Sequence, residues 1–179
     1  VTAIHIPARD GQLINARLYK PLELAETKEP WPVLLYFHGG GYCVGGLDSH
    51  DSLCRSLAAL TPCCVLHVAY RLAPEYRFPT AVYDAQDAYQ WLLSSGSEYG
   101  LDSNRLAVGG DSAGGTLATG LTLAARDEKW SEPLCQILLY PCTGVWQNTE
   151  SHQRLAQGYL LEAVTLQWMF NNYLRNEAD

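Results

Sequence analysis

At 179 residues, 47% hydrophobic and 17% charged, the chain can bury one sizeable core, and this composition excludes an intrinsically disordered segment. A formal net charge of -7 argues against nucleic-acid binding, which would call for a clustered excess of Lys and Arg. No apolar run reaches the ~18 residues of a membrane span, and the N-terminus lacks the basic-then-apolar pattern of a signal peptide. In chain order, Ala3–Ile6 and Leu13–Tyr19 read as two strands close enough to form a hairpin at a sheet edge. Leu22–Pro32, acidic and carrying Pro30 and Pro32, reads as a surface loop. Val33–Phe37 is a short apolar run ending at a glycine triplet, Gly39-Gly40-Gly41.

Ser49–Leu60 has helical spacing through Leu53, Leu57 and Leu60, with Ser49 as the expected cap. Cys63–Ala69 reads as a buried strand and Ala81–Leu93 as a helix. Arg105–Gly109 is a further strand, Ala113–Ala125 a helix rich in Ala, Gly and Leu, and Gln136–Tyr140 a strand closed by Pro141. Strand and helix alternating at this spacing predict βαβ crossovers, hence an α/β fold with a mostly parallel sheet. The stretch 144–158 is polar and turn-like, and Leu160–Leu174 reads as one more helix.

Six cysteines, at 43, 54, 63, 64, 135 and 142, show no metal-ligand spacing such as C-x-x-C. Buried free Cys behaves as a small hydrophobe. Free thiols and a reducing, cytoplasmic setting are therefore expected.

The chemistry concentrates in two segments. Gly110-Asp111-Ser112-Ala113-Gly114 fits G-x-S-x-G, which a chain of this length matches by chance about once in twenty. Its setting is more specific than its composition. It follows a strand directly and opens a helix, as a nucleophile elbow requires. A sharp turn there would lift the Ser112 hydroxyl above the sheet, with the helix N-terminus behind it favouring negative charge. Alone, the pattern also fits a serine capping a helix after a glycine turn. The second segment, His38-Gly39-Gly40-Gly41, follows the strand Val33–Phe37. Backbone amides freed by glycine could stabilise the oxyanion of acyl transfer. Both segments fall at the carboxyl ends of parallel strands, where open α/β sheets bind ligands.

With these residues in view, the sequence resembles the hormone-sensitive-lipase-like carboxylesterases of the α/β-hydrolase fold. The resemblance runs from about Leu13 to Tyr173. It rests on HGGGY at 38–42, YRLAPE at 70–75, LDSNRLAVGGDSAGG at 101–115 and GYLL at 158–161. It implies an α/β-hydrolase core over 1–144 with about six of eight strands, and part of a helical cap over 145–179. It further implies ester hydrolysis on short- to medium-chain substrates without metal or organic cofactor. Ser112 would be the nucleophile, with Gly39, Gly40 and Ala113 as oxyanion-hole donors. His38 would order its loop, and Asp111 would brace the elbow. A non-catalytic, receptor-like binder of small molecules on the same scaffold is the alternative.

Members of that family continue into two further strands whose loops carry the triad acid and His, so both are expected beyond Asp179. His152, the only histidine after Ser112, lies in a cap-like segment and is not expected to be the base. The chain starts at Val1 and its only methionine is Met169, unlike a primary translation product. Members often carry an acidic residue where Ala69 stands, and they have N-terminal cap helices with no counterpart here. His5, His50 and His67 are expected to be structural. Arg71 and Glu75 are expected to pair, and Asp102 and Asn104 to form a turn. Tyr42, Tyr140 and Tyr159 are candidates for the pocket wall or rim. Nothing near Cys43 suggests a lowered thiol pKa.

Overall fold

A computed structural model describes residues 1–22, 30–145, 148–176 and 179. One six-stranded sheet organises it, with strand order β1-β2-β4-β3-β5-β6. The strands are β1 (Thr2–Pro7), β2 (Leu13–Tyr19), β3 (Trp31–Phe37), β4 (Cys64–Ala69), β5 (Leu101–Asp111) and β6 (Cys135–Leu139). β1 and β2 form the expected antiparallel hairpin, and β2 joins β4 antiparallel. The other pairings, β3 with β4, β3 with β5 and β5 with β6, are parallel. The helices are α1 (Asp51–Leu60), α2 (Thr80–Ser95), α3 (Ala113–Asp127), α4 (Glu150–Arg154) and α5 (Ala163–Tyr173). Of the expected loop 22–32, residues 23–29 lie outside the described residues, and Trp31 and Pro32 already belong to β3.

The apolar runs become central strands because both of their faces are covered. Side chains alternate across a strand. Val33, Leu35 and Phe37 of β3 therefore enter a large core with Ala85, Ala88 and Leu92 of α2 and Leu117, Ala118 and Leu121 of α3. Leu34 and Tyr36 point the other way, into a smaller core closed by Cys54 and Ala58 of α1. All six cysteines are free thiols. No helix among the described residues is long and apolar enough to cross a membrane.

Three local expectations need correction. Ser49 does not cap α1. The cap residue is His50, without a side-chain capping bond, while Ser49 Oγ closes the preceding turn against Gly46. Arg71 does not pair with Glu75. Its guanidinium forks onto fully buried Asp84 of α2, at 2.6–3.2 Å, and also reaches Asp10 in the β1–β2 turn. A charge that deep needs a desolvated partner, and Asp84 sits behind the loop whereas Glu75 faces solvent. The polar stretch after residue 144 holds a short helix, α4, with Thr149 Oγ1 accepting from the His152 N–H at its start. The Asp102–Asn104 turn is present, with Asn104 N–H donating to Asp102 Oδ1 at 2.9 Å.

Among the described residues, β6 lies at the sheet edge and pairs with no strand but β5. Its Ile137, Leu138 and Leu139 remain 37–42% exposed, unlike the fully buried residues of β3 and β4. An open apolar edge is a template for further pairing. Expressed as these 179 residues alone, the chain is expected to self-associate with rising concentration in size-exclusion chromatography with light scattering. A monodisperse monomer across that range would contradict this.

Candidate active site

β3 and β5 run in parallel with Phe37 opposite Gly110. That register sets the glycine run after β3 beside the turn after β5. Ser112 occupies that turn, between the last residue of β5 and the first of α3, with φ 51° and ψ -119°. Positive φ is rare for a residue with a side chain and costs on the order of 1–3 kcal/mol. The surroundings over-determine it. Ser112 N–H donates to Leu139 O at 2.9 Å, and its carbonyl accepts from Thr116 N–H at 3.2 Å and Cys142 N–H at 3.3 Å. Glycine on either side permits the fit. A Cβ at Gly110 or Gly114 would overlap the Phe37 carbonyl, and one at Gly115 would press on Pro141 at 3.0 Å.

Asp111 ties the turn to the glycine loop. Its buried Oδ1 accepts from Tyr36 Oη–H at 2.7 Å and from Gly39 N–H at 3.0 Å. His50 Nε2 approaches the same carboxylate at 3.3 Å. Burial and the bond to Asp111 push the Tyr36 phenol far above its ordinary pKa, so it stays a donor. The loop is ordered from its other side by His38. That ring is buried and stacks on Tyr70 with centroids 4.4 Å apart, while Tyr70 Oη–H donates to the His38 carbonyl at 2.7 Å. The His38 ring contacts Gly39 O through Nδ1 at 2.6 Å, and burial lowers its pKa. A neutral imidazole used in this way supports a loop.

These contacts correct one site residue. The Gly39 N–H is taken by Asp111, so Gly39 cannot offer it to an oxyanion. A cavity of about 270 Å³ opens above the turn, and its wall includes Ser112, Ala113, Gly40 and Gly41 but not Gly39. Among the described residues, no protein acceptor engages the Gly40 or Gly41 N–H. Ala113 is the first residue of α3, a position whose N–H has no intrahelical acceptor. Gly41 lines this cavity although sequence reasoning did not single it out. Its only sequence signal is membership in the same glycine run.

Comparison with known proteins adds a family to this geometry. A family model described as alpha/beta hydrolase fold matches residues 34–179. The chain belongs to the α/β-hydrolase family. Within it, the HGGG and GDSAGG segments agree with the hormone-sensitive-lipase-like branch. The chain is 46% identical to an ethyl acetate hydrolase of Pseudomonas putida, over its whole length and 56% of that protein. It is 41% identical to the carboxylic ester hydrolase LipN of Mycobacterium tuberculosis, over 98% of this chain and 47% of LipN. The structure of a hyperthermophilic esterase from Pyrobaculum calidifontis superposes with a TM-score of 0.93 at 38% identity, covering 99% of this chain and 58% of the esterase. The chain therefore spans about half the length of the curated relatives it matches.

The remaining candidates in this α/β-hydrolase chain divide by position. Tyr42 lines the Ser112 cavity, whereas Tyr140 and Tyr159 are 76% and 59% exposed and stay outside its wall. His152 lies on α4 against Thr149 Oγ1 at 2.6 Å and faces a different cavity. Among the described residues lining the Ser112 cavity there is no His, Asp or Glu. His5 bonds Asn15 across the edge hairpin, and His67 is buried in β4, its pKa pushed down to about 3 chiefly by burial. Burial raises the Cys43 thiol, which leaves it a poor nucleophile.

Proposed function

We propose that this chain carries the nucleophile and oxyanion hole of a serine carboxylic-ester hydrolase. The observation that carries the reading is Ser112 at a strained turn, on one cavity wall with Gly40, Gly41 and Ala113. Ser112 Oγ attacks the ester carbonyl carbon. A histidine takes its proton and delivers it to the departing alcohol. The N–H groups of Gly40, Gly41 and Ala113 hold the negative oxygen of both tetrahedral intermediates. Water then releases the acid from the acyl-enzyme. The relatives are roughly twice this length, and we place the histidine and its acid in sequence they have beyond the shared span. Residues 1–144 act as the hydrolase core, and those from 145 onward as part of a cap.

Short- to medium-chain esters are the substrates that the family resemblance implies. The alternative of a binder without turnover draws no support from the relatives, whose names are those of hydrolases and esterases. A series of p-nitrophenyl esters from acetate to dodecanoate, assayed on the complete gene product, tests the reading. Turnover with a burst of nitrophenol, greatest for acyl chains of eight carbons or fewer, is expected. Absence of turnover on every ester would overturn it.

A further inference from the structure

We propose that Tyr173 of α5 is a positioning residue for the oxyanion loop, acting through the ring of Tyr42. The inference rests on the reading of Ser112 above. Gly40 and Gly41 carry no side chains; their peptide planes are set by the bonds on the Gly39 and Gly40 carbonyls, from His38 Nδ1 at 2.6 Å and from the Cys43 and Val44 N–H groups at 3.0 Å, so the amides point where this turn as a whole is held. Glycine is the residue with the most backbone freedom to lose. Preorganised donors are effective only if they need not reorient during the reaction. The loop must therefore be pinned at both ends. At one end, the Gly39 N–H is fixed by Asp111. At the other end stands Tyr42, immediately after Gly41.

Tyr42 has φ 62°, a conformation that a bulky residue keeps only where its surroundings impose it. Two contacts do so. Its carbonyl accepts from Ala73 N–H at 2.9 Å. Its ring lies flat on Tyr173, with centroids 3.9 Å apart and planes 10° from parallel. Both residues are buried, at 6% and 4% exposure. Tyr173 is itself held, edge-on to Phe78 at 5.8 Å and accepting the Phe78 N–H at 2.8 Å.

One helical turn earlier on α5, Met169 fills the space that a Cβ on Gly41 would need. Its carbonyl lies 3.5 Å from Cys43 Sγ. The helix thus touches residues 41, 42 and 43 in succession, with the stacked tyrosines at the centre. On this reading α5 holds in place the turn that carries the Gly40 and Gly41 N–H groups.

The test uses the complete protein. Tyr173→Phe keeps the stack, and Tyr173→Leu removes it while keeping apolar volume. Tyr173→Phe is expected within twofold of wild-type kcat. Tyr173→Leu is expected to lower kcat by about tenfold or more, short of the ~10²–10³ of a lost donor. KM should stay within about threefold. Affinity for a trifluoromethyl ketone, whose adduct on Ser112 places an oxyanion in the hole, should fall by the same factor as kcat. If Tyr173→Leu does not fold, Tyr42→Gly takes its place, read by inhibitor affinity and kcat alone because Tyr42 also lines the Ser112 cavity. Glycine accepts φ 62° without strain but removes the ring, and the same pattern is expected. Unchanged kcat and inhibitor affinity would overturn the proposal. So would a higher KM at constant kcat, which marks a pocket wall, or a Phe variant as impaired as the Leu variant. A wild-type protein without ester turnover fails the Ser112 reading and this inference with it. An active wild type with Tyr173→Leu at full kcat fails this inference alone.

Discussion

Ser112→Ala is expected to lower kcat by about 10⁶-fold, the scale found where nucleophile and base act as a unit. What remains would be the ~10³–10⁴-fold acceleration over water that binding and the oxyanion hole supply unaided. The substitution isolates chemistry from folding. Alanine faces the same positive φ as serine, and among the described residues no side-chain hydrogen bond of Ser112 braces the turn; its backbone N–H and carbonyl do that. Thermal unfolding should therefore shift little. The check is steady-state kinetics on a short-chain ester with the complete protein, beside a melting curve of the same preparation. Turnover within tenfold of wild type would remove Ser112 from the mechanism.

Gly40→Val carries the next largest effect. Gly40 sits at φ 116°, and a Cβ there would overlap the Val44 carbonyl. Its own carbonyl accepts the N–H groups of Cys43 and Val44, both at 3.0 Å. Relieving the clash must move this turn, and both loop amides move with it. Losing one such donor costs ~10²–10³ in kcat, about 3–4 kcal/mol. The loss should fall on kcat more than KM, because the oxyanion exists only in the transition state and intermediates. Kinetics within twofold of wild type would rule out the loop's part in catalysis.

The elbow was legible because steric demand leaves a mark on sequence. Only glycine fits at 110 and 114, where the Phe37 backbone closes in, and strand, turn and helix follow one another in the chain. The glycine loop was legible as a loop but not in detail. Three identical residues look alike, and the choice between Gly39 and Gly41 depends on where the Asp111 carboxylate points, which the β3–β5 register decides. Arg71 misled for a related reason. Glu75 is near in sequence, but packing of α2 brings Asp84 beneath the guanidinium. The contact between α5 and the glycine loop joins residues more than 120 positions apart, and periodicity holds no trace of it. α4 spans only Glu150–Arg154, too short for a hydrophobic period to show.

The central claim is that Ser112 is the activated nucleophile, and covalent labelling tests it most directly. A fluorophosphonate phosphonylates a serine hydroxyl that a base has activated, and leaves ordinary serines untouched. The complete protein would be treated with the probe, digested and sequenced by tandem mass spectrometry. One adduct per chain is expected, on the peptide containing Ser112, and none in Ser112→Ala. An adduct on a different serine, with Ser112→Ala still hydrolysing esters, would contradict the account.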